Sequence, residues 1–519
     1  MVYKTLFHQV ITCLLSLGML VTSGCHTVLQ DTDDSDDTSI WYVQQNQLSN
    51  QKIEAGTRAQ PFHSLETAEQ ISKPGDTIRI LPSPVNSNPL DGGIILKEGQ
   101  ILEGLSENNR RAQITNTQVN HHEGDAVTLA NNSIVRNLHI VQSAGHAIVG
   151  RNVHGIAVEN NWIQGGNRSD LTSVTTGATA SLGVLEFPKG IISLFHSSND
   201  SLDSENRIIN NTISGTASNN AQFLRLNGPG ISIHTRGPTE STLYASNNKI
   251  SDLGAGFQRS GMLIDTQDNS QLSLTIEDTT VSNAFSSSDG IILIAQNDSS
   301  ISGAIRRYHY KGSSSPSGVG NNGLEVVTYS GGNWLKPVME EGDWHSANTR
   351  LILEHSTIEG ADGFGIAFFN LFGKPSKKTV LDFGAGELGG GGSNRIFNNG
   401  KLLPYEMDAY LVHQDINMSN NWWGTTQTGE SKTKILNDEA VLKEKFVLVC
   451  PGTPTQIEKL TEHTGVAAWS TFCQAFTDNV CRNDSTPVSC CDPNTDPNRC
   501  LESANDSSFL SSPALPISP

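Results

Sequence analysis

The chain has few hydrophobic and few charged residues for its length, and the apolar runs in its body are short. Hydrophobic residues make up 36% of the 519 residues and charged residues 17%, whereas glycine occurs 48 times. This profile disfavours packed helices and is typical of many short strands joined by turns. Because one compact core does not extend over such a length, the sequence predicts an elongated core.

Positive charge is also scarce. The chain has 34 Lys and Arg residues against 53 Asp and Glu residues, which gives a formal net charge of −19 and an isoelectric point near 5.2. Such acidity argues against binding to nucleic acid and against electrostatic adhesion to anionic lipid. We therefore expect no nucleic-acid partner.

Cysteine is absent between Cys25 and Cys450. In an exported chain, six cysteines close to one terminus predict a disulfide framework, and their pairing stays open. A zinc site is disfavoured because no C-x-x-C pair and no nearby His occur at ligand spacing. The six predicted disulfide-forming residues are Cys450, Cys473, Cys481, Cys490, Cys491 and Cys500.

The N-terminus has the pattern of an export signal, with Lys4 followed by the short apolar stretch "VITCLLSLGMLVTSGC". "TSGC" resembles the lipobox of bacterial lipoproteins, although Thr22 stands where Leu is usual. The resemblance implies that residues 1–24 are removed and that Cys25 is lipidated, which would attach the chain to a membrane. His26, rather than Asp, follows Cys25, and this implies sorting to the outer membrane. The alternative is an ordinary secretory signal that contains an incidental cysteine.

The segment after Cys25 is strongly acidic and contains "DTDDSDDTS" at residues 31–39. It lacks the central Gly and the closing Glu of a calcium loop. We therefore interpret residues 25–39 as a solvated tether. We expect no cofactor; Ca²⁺ stays open, but no motif supports it.

A short unit recurs along the body of the chain: a glycine followed by apolar residues, with a second β-branched element nearby. Copies of the second element include "NNWIQG", "NNTISG" and "NNKISD". Such strands bury a core only when they are stacked, and Asn at a repeated corner can form a ladder of side-chain amides. No helical pattern separates the strands, which disfavours a βαβ fold. The glycine units are "GIAVEN", "GIISLF", "GISIHT", "GMLIDT", "GIILIA", "GLEVVT" and "GIAFFN".

Two stretches carry a family resemblance. "WYVQQN…AGTRAQPFHSLETAEQISKPGDTIRILPS", at residues 41–83, resembles the opening of right-handed parallel β-helix proteins of the pectate-lyase superfamily. "LGGGGSNRIFNNG…INMSNNWWGTT" resembles the terminal coils of DUF1565-type bacterial β-helix proteins. The resemblance implies an all-β, single-stranded, right-handed parallel β-helix with a short N-terminal capping helix. We expect Ser64 to cap that helix and Pro74-Gly75 to end it.

The resulting organisation has four segments. Residues 1–24 form the signal, residues 25–39 the tether and residues 40–430 the β-helix. Residues 431–519 form a disulfide-rich module with a disordered tail. We expect a monomer in the bacterial cell envelope, as an outer-membrane lipoprotein that is periplasmic or surface-exposed.

The catalytic motifs of known β-helix enzymes are missing. G-H-G, W-x-D-H and D-P-H-D do not occur, and "NTD" occurs only within the cysteine-rich segment. We therefore favour a non-catalytic protein that binds polysaccharide or another surface ligand in a structural or adhesive role. The alternative is a polysaccharide lyase or glycoside hydrolase that acts in a groove along one sheet.

One outward row of side chains is the candidate ligand groove. If each repeated glycine begins a strand and the next residue points inward, every second residue after it points outward. The polar residues in that register could bind carbohydrate or provide acid and base groups. The alternative is an ordinary set of polar positions that face solvent. The candidates are Glu159, His234, Arg236, Asp265 and Glu325.

Overall fold

Strands dominate the part of the chain that the computed structural model describes. This part contains one α-helix, one short 3₁₀ turn and 37 strands. The described residues are 38–45, 55–83, 87–166, 190–197, 205–217, 223–224, 226, 228–254, 260–284, 288–312, 321–329, 347–371, 379–384, 386–399, 407–410, 416–417, 421 and 441–442.

Three long sheets, named A, B and C here, contain most of the strands, which are numbered in chain order. Sheet A has 13 strands, which are parallel except for the last. In spatial order they are β1 (Ile40–Val43), β2 (Thr77–Ile80), β5 (Ile101–Gly104), β10 (Ile134–Arg136), β13 (Ala157–Glu159), β16 (Asn206–Ile209), β21 (Glu240–Ser246), β24 (Gln271–Glu277), β27 (Ser300–Arg306), β30 (Asn348–Glu354), β33 (Val380–Asp382), β36 (Ile416–Asn417) and β37 (Val441–Leu442).

Sheets B and C have 10 parallel strands each. Sheet B contains β3 (Leu90–Asp91), β8 (Gln113–Thr115), β11 (His139–Val141), β14 (Trp162–Gln164), β17 (Thr212–Ser214), β22 (Lys249–Ser251), β25 (Thr280–Ala284), β28 (His309–Gly312), β31 (Thr357–Glu359) and β34 (Arg395–Phe397). Sheet C contains β4 (Ile94–Ile95), β9 (Val127–Thr128), β12 (Ile148–Arg151), β15 (Ile192–His196), β20 (Ile231–Arg236), β23 (Met262–Gln267), β26 (Ile291–Gln296), β29 (Leu324–Tyr329), β32 (Ile366–Leu371) and β35 (Met407–Tyr410).

The order of the strands defines the fold. Along the chain, one strand of sheet C is followed by one of sheet A and one of sheet B, and the cycle then repeats one strand further along each sheet. This is a right-handed parallel β-helix, as predicted. Two small antiparallel hairpins lie outside the three sheets: β6 (Ser106–Glu107) with β7 (Arg110–Arg111), and β18 (Thr216–Ala217) with β19 (Phe223–Leu224).

Apolar side chains stack in register inside the coils. On sheet C, Leu194, Ile233, Ile264 and Leu293 occupy successive strands, and all are buried in one continuous core. Each strand contributes only a few such residues, so its apolar face is buried only because the coils above and below cover it. The predicted inward position of Ile233 is confirmed.

The corner between sheets A and B contains the predicted asparagine ladder. Asn161 Nδ2 donates to Asn211 Oδ1 at 3.1 Å, and Asn211 Nδ2 donates to Asn248 Oδ1 at 3.1 Å. The residue before each of these asparagines has a positive φ, for example 56° at Asn160, a conformation that asparagine tolerates well. Asn394 and Asn421 form a second short ladder at 2.9 Å.

The N-terminal helix α1 (Leu65–Ile71) begins where the sequence predicts. The Ser64 side chain accepts a hydrogen bond from the Thr67 backbone N–H at 3.1 Å, which confirms Ser64 as the N-cap. The helix ends before Pro74-Gly75 and buries Leu65 and Ala68 in the core of the coils. The helix thus covers apolar residues at the first coil.

Asp76, of the "GDTI" element, links the segment after α1 to the first strand, β1, at the N-terminal end of the β-helix. Its carboxylate accepts hydrogen bonds from the Lys73 and Ser39 backbone N–H groups and from Trp41 Nε1. Burial alone would raise the pKa of Asp76, but these three hydrogen bonds together lower the pKa below its ordinary value.

Some predictions fall outside the described residues. These are the lipidation of Cys25, the six C-terminal cysteines, the signal and nearly all of the tether and C-terminal module. Among the residues that the structure does describe, no helix is long and apolar enough to cross a membrane.

Candidate functional site

The five groove candidates lie on two different sheets. His234, Arg236, Asp265 and Glu325 are on sheet C, whereas Glu159 is the last residue of β13 in sheet A. The prediction that all five share one row is therefore wrong.

The reason is that similar glycine motifs begin different strands. In "GIAVEN", Gly155 has a φ of 65° and precedes a strand of sheet A. In "GISIHT", Gly230 precedes a strand of sheet C, where an added Cβ would lie 2.5 Å from Ile250 Cγ2. Gly155 is needed because its backbone is left-handed, whereas Gly230 is needed because a neighbouring side chain packs closely against its Cα. The sequence pattern is the same in both cases and does not distinguish them.

Glu159 belongs to an outward row of alternating charges on sheet A. Glu103 contacts Arg79 at 3.1 Å and Arg136 at 3.0 Å, and Arg136 is in register with Glu159. Glu159 also lies 3.9 Å from Arg207. Opposite charges in register neutralise one another along the stack, so this row supports strand pairing. We call the row the charge row; after the uncharged Ile209 and Ser246 in the same register, it continues with Glu277, Arg306 and Glu354.

His234 and Asp265 are direct neighbours on β20 and β23, which confirms their predicted proximity. His234 Nδ1 lies 3.8 Å from Asp265 Oδ2. Asp265 also accepts hydrogen bonds from Gln267 Nε2 at 2.8 Å and from Gln296 Nε2 at 2.7 Å. The His234 ring stacks on Phe195, with centroids 5.2 Å apart.

Although His234 and Asp265 point away from the core, they are enclosed. Their exposed fractions are 4% and 1%. Arg236 is exposed and pairs with Asp268 at 2.8 Å, so it does not join them. Glu325 lies one outward row away, since its register partner on β26 is Ile292, whereas that of Asp265 is Ile294. The arrangement is a buried polar cluster rather than an open strip.

Glu325 forms an acid pair with Asp289, a residue that the sequence analysis did not select. The Asn322 backbone N–H donates to Asp289 Oδ1 at 2.5 Å, and Asn322 Nδ2 donates to Glu325 Oε2 at 2.8 Å. Asp289 and Glu325 are exposed by only 3% and 5%. Alignment of the repeats on Gly290 and Gly323 would have placed Asp289 beside Asn322, so a signal for the pair was present.

Burial gives this acid pair unusual protonation behaviour. Removal from water raises the pKa of Glu325 to about 7, although the hydrogen bond from Asn322 opposes the shift. Burial, followed by repulsion from Glu325, raises the pKa of Asp289 well above its ordinary value. Ionising both carboxyls would place two negative charges side by side in a buried site, which is unfavourable. The pair therefore retains a proton near neutral pH.

The described residues provide no group of three or more His, Cys, Asp or Glu side chains arranged to hold a metal ion. The acid pair and the His234–Asp265 pair each contribute two such residues. Chemically, the acid pair can exchange a proton, whereas His234 and Asp265, at 3.8 Å, are close enough for an electrostatic interaction but too far apart for a hydrogen bond. Both are shielded from an extended ligand at these exposures.

Some outward positions on sheet A are open. Thr242, Ser273 and Ser302 lie in register on β21, β24 and β27 and are half-exposed or exposed. Tyr244 and Thr275 form the neighbouring half-exposed row. We call these five residues the hydroxyl strip. Its hydroxyl groups are spaced by the distance between strands, about 4.8 Å, along the stack.

The sheet order and these faces define a right-handed parallel β-helix protein with both open and enclosed outward surfaces. No family model and no curated protein matches the chain. Among solved structures, the chain is similar to a rhamnogalacturonan lyase, with 14% identity and a TM-score of 0.27 over 78% of this chain and 86% of that chain.

Two further structures are similar to the chain. The catalytic domain of a GH87 α-1,3-glucanase in complex with tetrasaccharides has 13% identity and a TM-score of 0.27, over 71% of this chain and 67% of that chain. PfbA, a surface adhesin of Streptococcus pneumoniae, has 10% identity and a TM-score of 0.25, over 69% of this chain and 87% of that chain. TM-scores this low carry no argument about function, which has to be argued from the site.

Proposed function

We propose that this chain is a lipid-anchored protein of the bacterial cell envelope that binds polysaccharide in a structural or adhesive role, without catalysis. The main support for the proposal is that outward polar residues of sheet C, such as His234 and Asp265, are buried, whereas those of the hydroxyl strip on sheet A are open to solvent. The acid and base candidates of sheet C are buried, whereas sheet A presents the hydroxyl strip to solvent. Hydroxyl groups repeated at the regular spacing of the strands suit an extended ligand with many polar groups.

Support for the cell-envelope location comes from the sequence. The lipobox-like "TSGC" ending at Cys25, the acidic tether and the six C-terminal cysteines fit an exported lipoprotein. His26 after Cys25 favours the outer membrane, and the terminal coils resemble those of DUF1565-type bacterial β-helix proteins. The chain would act there as a monomer, held to the membrane by its lipid.

A lyase or hydrolase is the second candidate, and one observation favours it. Asp289 and Glu325 are paired carboxylates with raised pKa, and paired carboxylates serve acid and base roles in glycoside hydrolysis. Their burial opposes this function, since a catalytic group has to reach the glycosidic bond. The binding role therefore takes precedence.

The test is to assay the purified full chain for both binding and turnover against uronate-containing and neutral glycans. We expect saturable binding with no release of reducing ends and no unsaturated product. Turnover that is lost in Glu325→Gln and kept in Glu240→Gln, an exposed acid on β21, would establish the enzymatic alternative instead. Absence of binding to every glycan would refute the proposed binding function.

Lipid anchoring needs a separate experiment. Labelled fatty acid should be incorporated into the wild-type chain and not into Cys25→Ala, which should also lose membrane association. If Cys25→Ala were processed and labelled like the wild type, the lipoprotein proposal would be wrong.

A further inference from the structure

Sheet B carries an exposed tryptophan on its outward face. Trp162 begins β14 and is 37% exposed, an unusual exposure for so large an apolar side chain. Its ring stacks on that of His139 in the preceding coil, with centroids 4.2 Å apart and planes 7° apart. The stacking on His139 fixes the orientation of the indole.

His139 is built as a rigid support for this indole. One ring nitrogen contacts Gln113 Nε2 at 3.0 Å, and the other contacts Gln164 Oε1 at 2.9 Å. Burial lowers the pKa of His139 and outweighs the hydrogen bond that His139 Nε2 donates to Gln164, and nearby Arg111 lowers the pKa further. The imidazole is thus a neutral, fixed surface, and two glutamines set its orientation.

The opposite face of the indole is only partly covered. The next residue in register is Thr212, an exposed side chain that is much shorter than tryptophan. The outer part of the indole therefore extends further from the sheet than Thr212 does. We call the open indole face beside Thr212 the step. Among the residues that the structure describes, none accepts a hydrogen bond from Trp162 Nε1, so this N–H is also available to a ligand.

Two cations that have no carboxylate partner among the described residues flank the step. Arg111 is exposed and donates to the backbone oxygen of Asn160 at 3.3 Å, two residues before Trp162. Lys249 follows Thr212 in register, roughly 10 Å beyond Trp162 at the usual strand spacing. Neither cation is within ion-pair distance of a carboxylate in the described part of the chain. Most described arginines are paired, for example Arg79, Arg136 and Arg306.

We propose that Trp162, Arg111 and Lys249 form a binding site for an anionic glycan on sheet B. One sugar ring would stack on the open part of the indole face. Acidic substituents of the same glycan would pair with the two cations. This inference rests on the proposed polysaccharide-binding function and adds to the hydroxyl strip of sheet A a site on sheet B for the acidic groups of the ligand. The local positive charge overcomes the repulsion expected from the net charge of −19.

The decisive experiment measures equilibrium binding of the full chain by calorimetry to three glycans: a polyuronate, a sulfated glucan and a neutral glucan. We expect Trp162→Ala to weaken the binding of the anionic glycans at least tenfold, since aromatic stacking is lost. Lys249→Gln and Arg111→Gln should each weaken that binding several-fold and reduce its salt dependence. The glycan that binds more tightly distinguishes carboxylate from sulfate recognition.

Thr212→Phe provides a variant that leaves all three ligand contacts in place. The added ring should cover the open indole face and block binding, and an outward β position tolerates an aromatic residue. Lys311→Gln is the matched control, because Lys311 lies on the same sheet but is 4.0 Å from Glu359. It should bind like the wild type, and thermal melts verify the folding of every variant.

The outcomes separate this inference from the proposed function. Glycan binding that is unchanged in Trp162→Ala and Thr212→Phe would refute the sheet B site and leave the binding function intact. Equal affinity for neutral and anionic glycans, with no effect of Lys249→Gln, would also overturn the inference. Absence of binding to every glycan would refute both.

Discussion

The outward faces of sheets B and C contain similar kinds of side chain but differ in their exposure. On sheet C, the outward residues Ser232, His234 and Asp265 are buried, and each contacts a neighbour on the same face. On sheet B, the outward residues Trp162, Thr212 and Lys249 are exposed. The alternation of a β-strand determines the direction of a side chain, but its exposure depends on what lies over the sheet.

The largest predicted effect tests the direction of side chains on sheet C. Ile233→Asp should unfold the chain or reduce its free energy of unfolding by more than about 4 kcal/mol, because an unpaired charge would enter the stacked core. Chemical denaturation followed by far-UV circular dichroism measures this effect.

Ser232→Asp tests whether a side chain that points outward on sheet C is also exposed to solvent. From sequence alone, this outward substitution is expected to be far milder than Ile233→Asp. In the structure, Ser232 is fully buried and its Oγ lies 2.7 Å from Ser193 Oγ, so we now expect a loss of about 2–4 kcal/mol. Ser273→Asp, which is outward and exposed on sheet A, should change the stability by less than about 0.5 kcal/mol. A mild Ser232→Asp would show that the outward face of sheet C is open.

The acid pair on sheet C predicts how stability depends on pH. The folded-state pKa of Glu325 is about 7, above its ordinary value of 4.5. Its contribution is fully present below pH 4.5 and is lost as the pH rises through 7, so the free energy of unfolding should fall over that range. The expected fall is on the order of 3 kcal/mol. Tyr308 and Tyr310, buried nearby, have raised pKa values and stay neutral throughout.

Carboxylates whose pKa is lowered by folding have the opposite effect on stability, and they act below about pH 4.5. The pKa of Glu354 is lowered by the Gly391 backbone N–H and by Arg306, so its contribution is lost as the pH falls below its ordinary value. Stability should therefore be greatest at mildly acidic pH. Denaturation midpoints between pH 4 and pH 8 test this, and Glu325→Gln should flatten the upper part of the profile. An unchanged profile in Glu325→Gln would contradict the shift assigned to Glu325.

The asparagine ladder should have a smaller effect. Asn211 is its central member and both donates to and accepts from asparagines in neighbouring coils. Asn211→Ala leaves buried partners without hydrogen bonds, which should cost about 1–3 kcal/mol. Thr279→Ala should cost less, because Thr279 lies at the same corner and, among the described residues, its hydroxyl bonds only to the Glu277 backbone oxygen. Similar losses in the two variants would mean that the ladder adds nothing beyond local hydrogen bonds.

Much of the fold was predictable because it depends on local, repeated signals. The glycine and asparagine corners, the inward Ile233 and the Ser64 cap follow from short stretches of sequence. The site was predictable only in part. The proximity of His234 and Asp265 was predictable because the two residues are about one coil apart in the sequence. The sheet that contains Glu159 was not predictable, because it depends on the length of each coil. Exposure depends on packing across coils, which no single repeat encodes.

The smallest predicted effect concerns Arg236, the one candidate on sheet C that is open to solvent. Its ion pair with Asp268 joins side chains that are 63% and 37% exposed, and such pairs contribute little because water screens them. Arg236→Ala should therefore change the free energy of unfolding by less than about 0.5 kcal/mol. Its effect on glycan binding is more informative than its effect on stability. If the anionic glycan binds on sheet B, Arg236→Ala should leave the affinity unchanged while Lys249→Gln weakens it. The reverse result would place the ligand on sheet C, in the groove expected from the sequence, because Arg236 would then supply the cation that the acidic groups require.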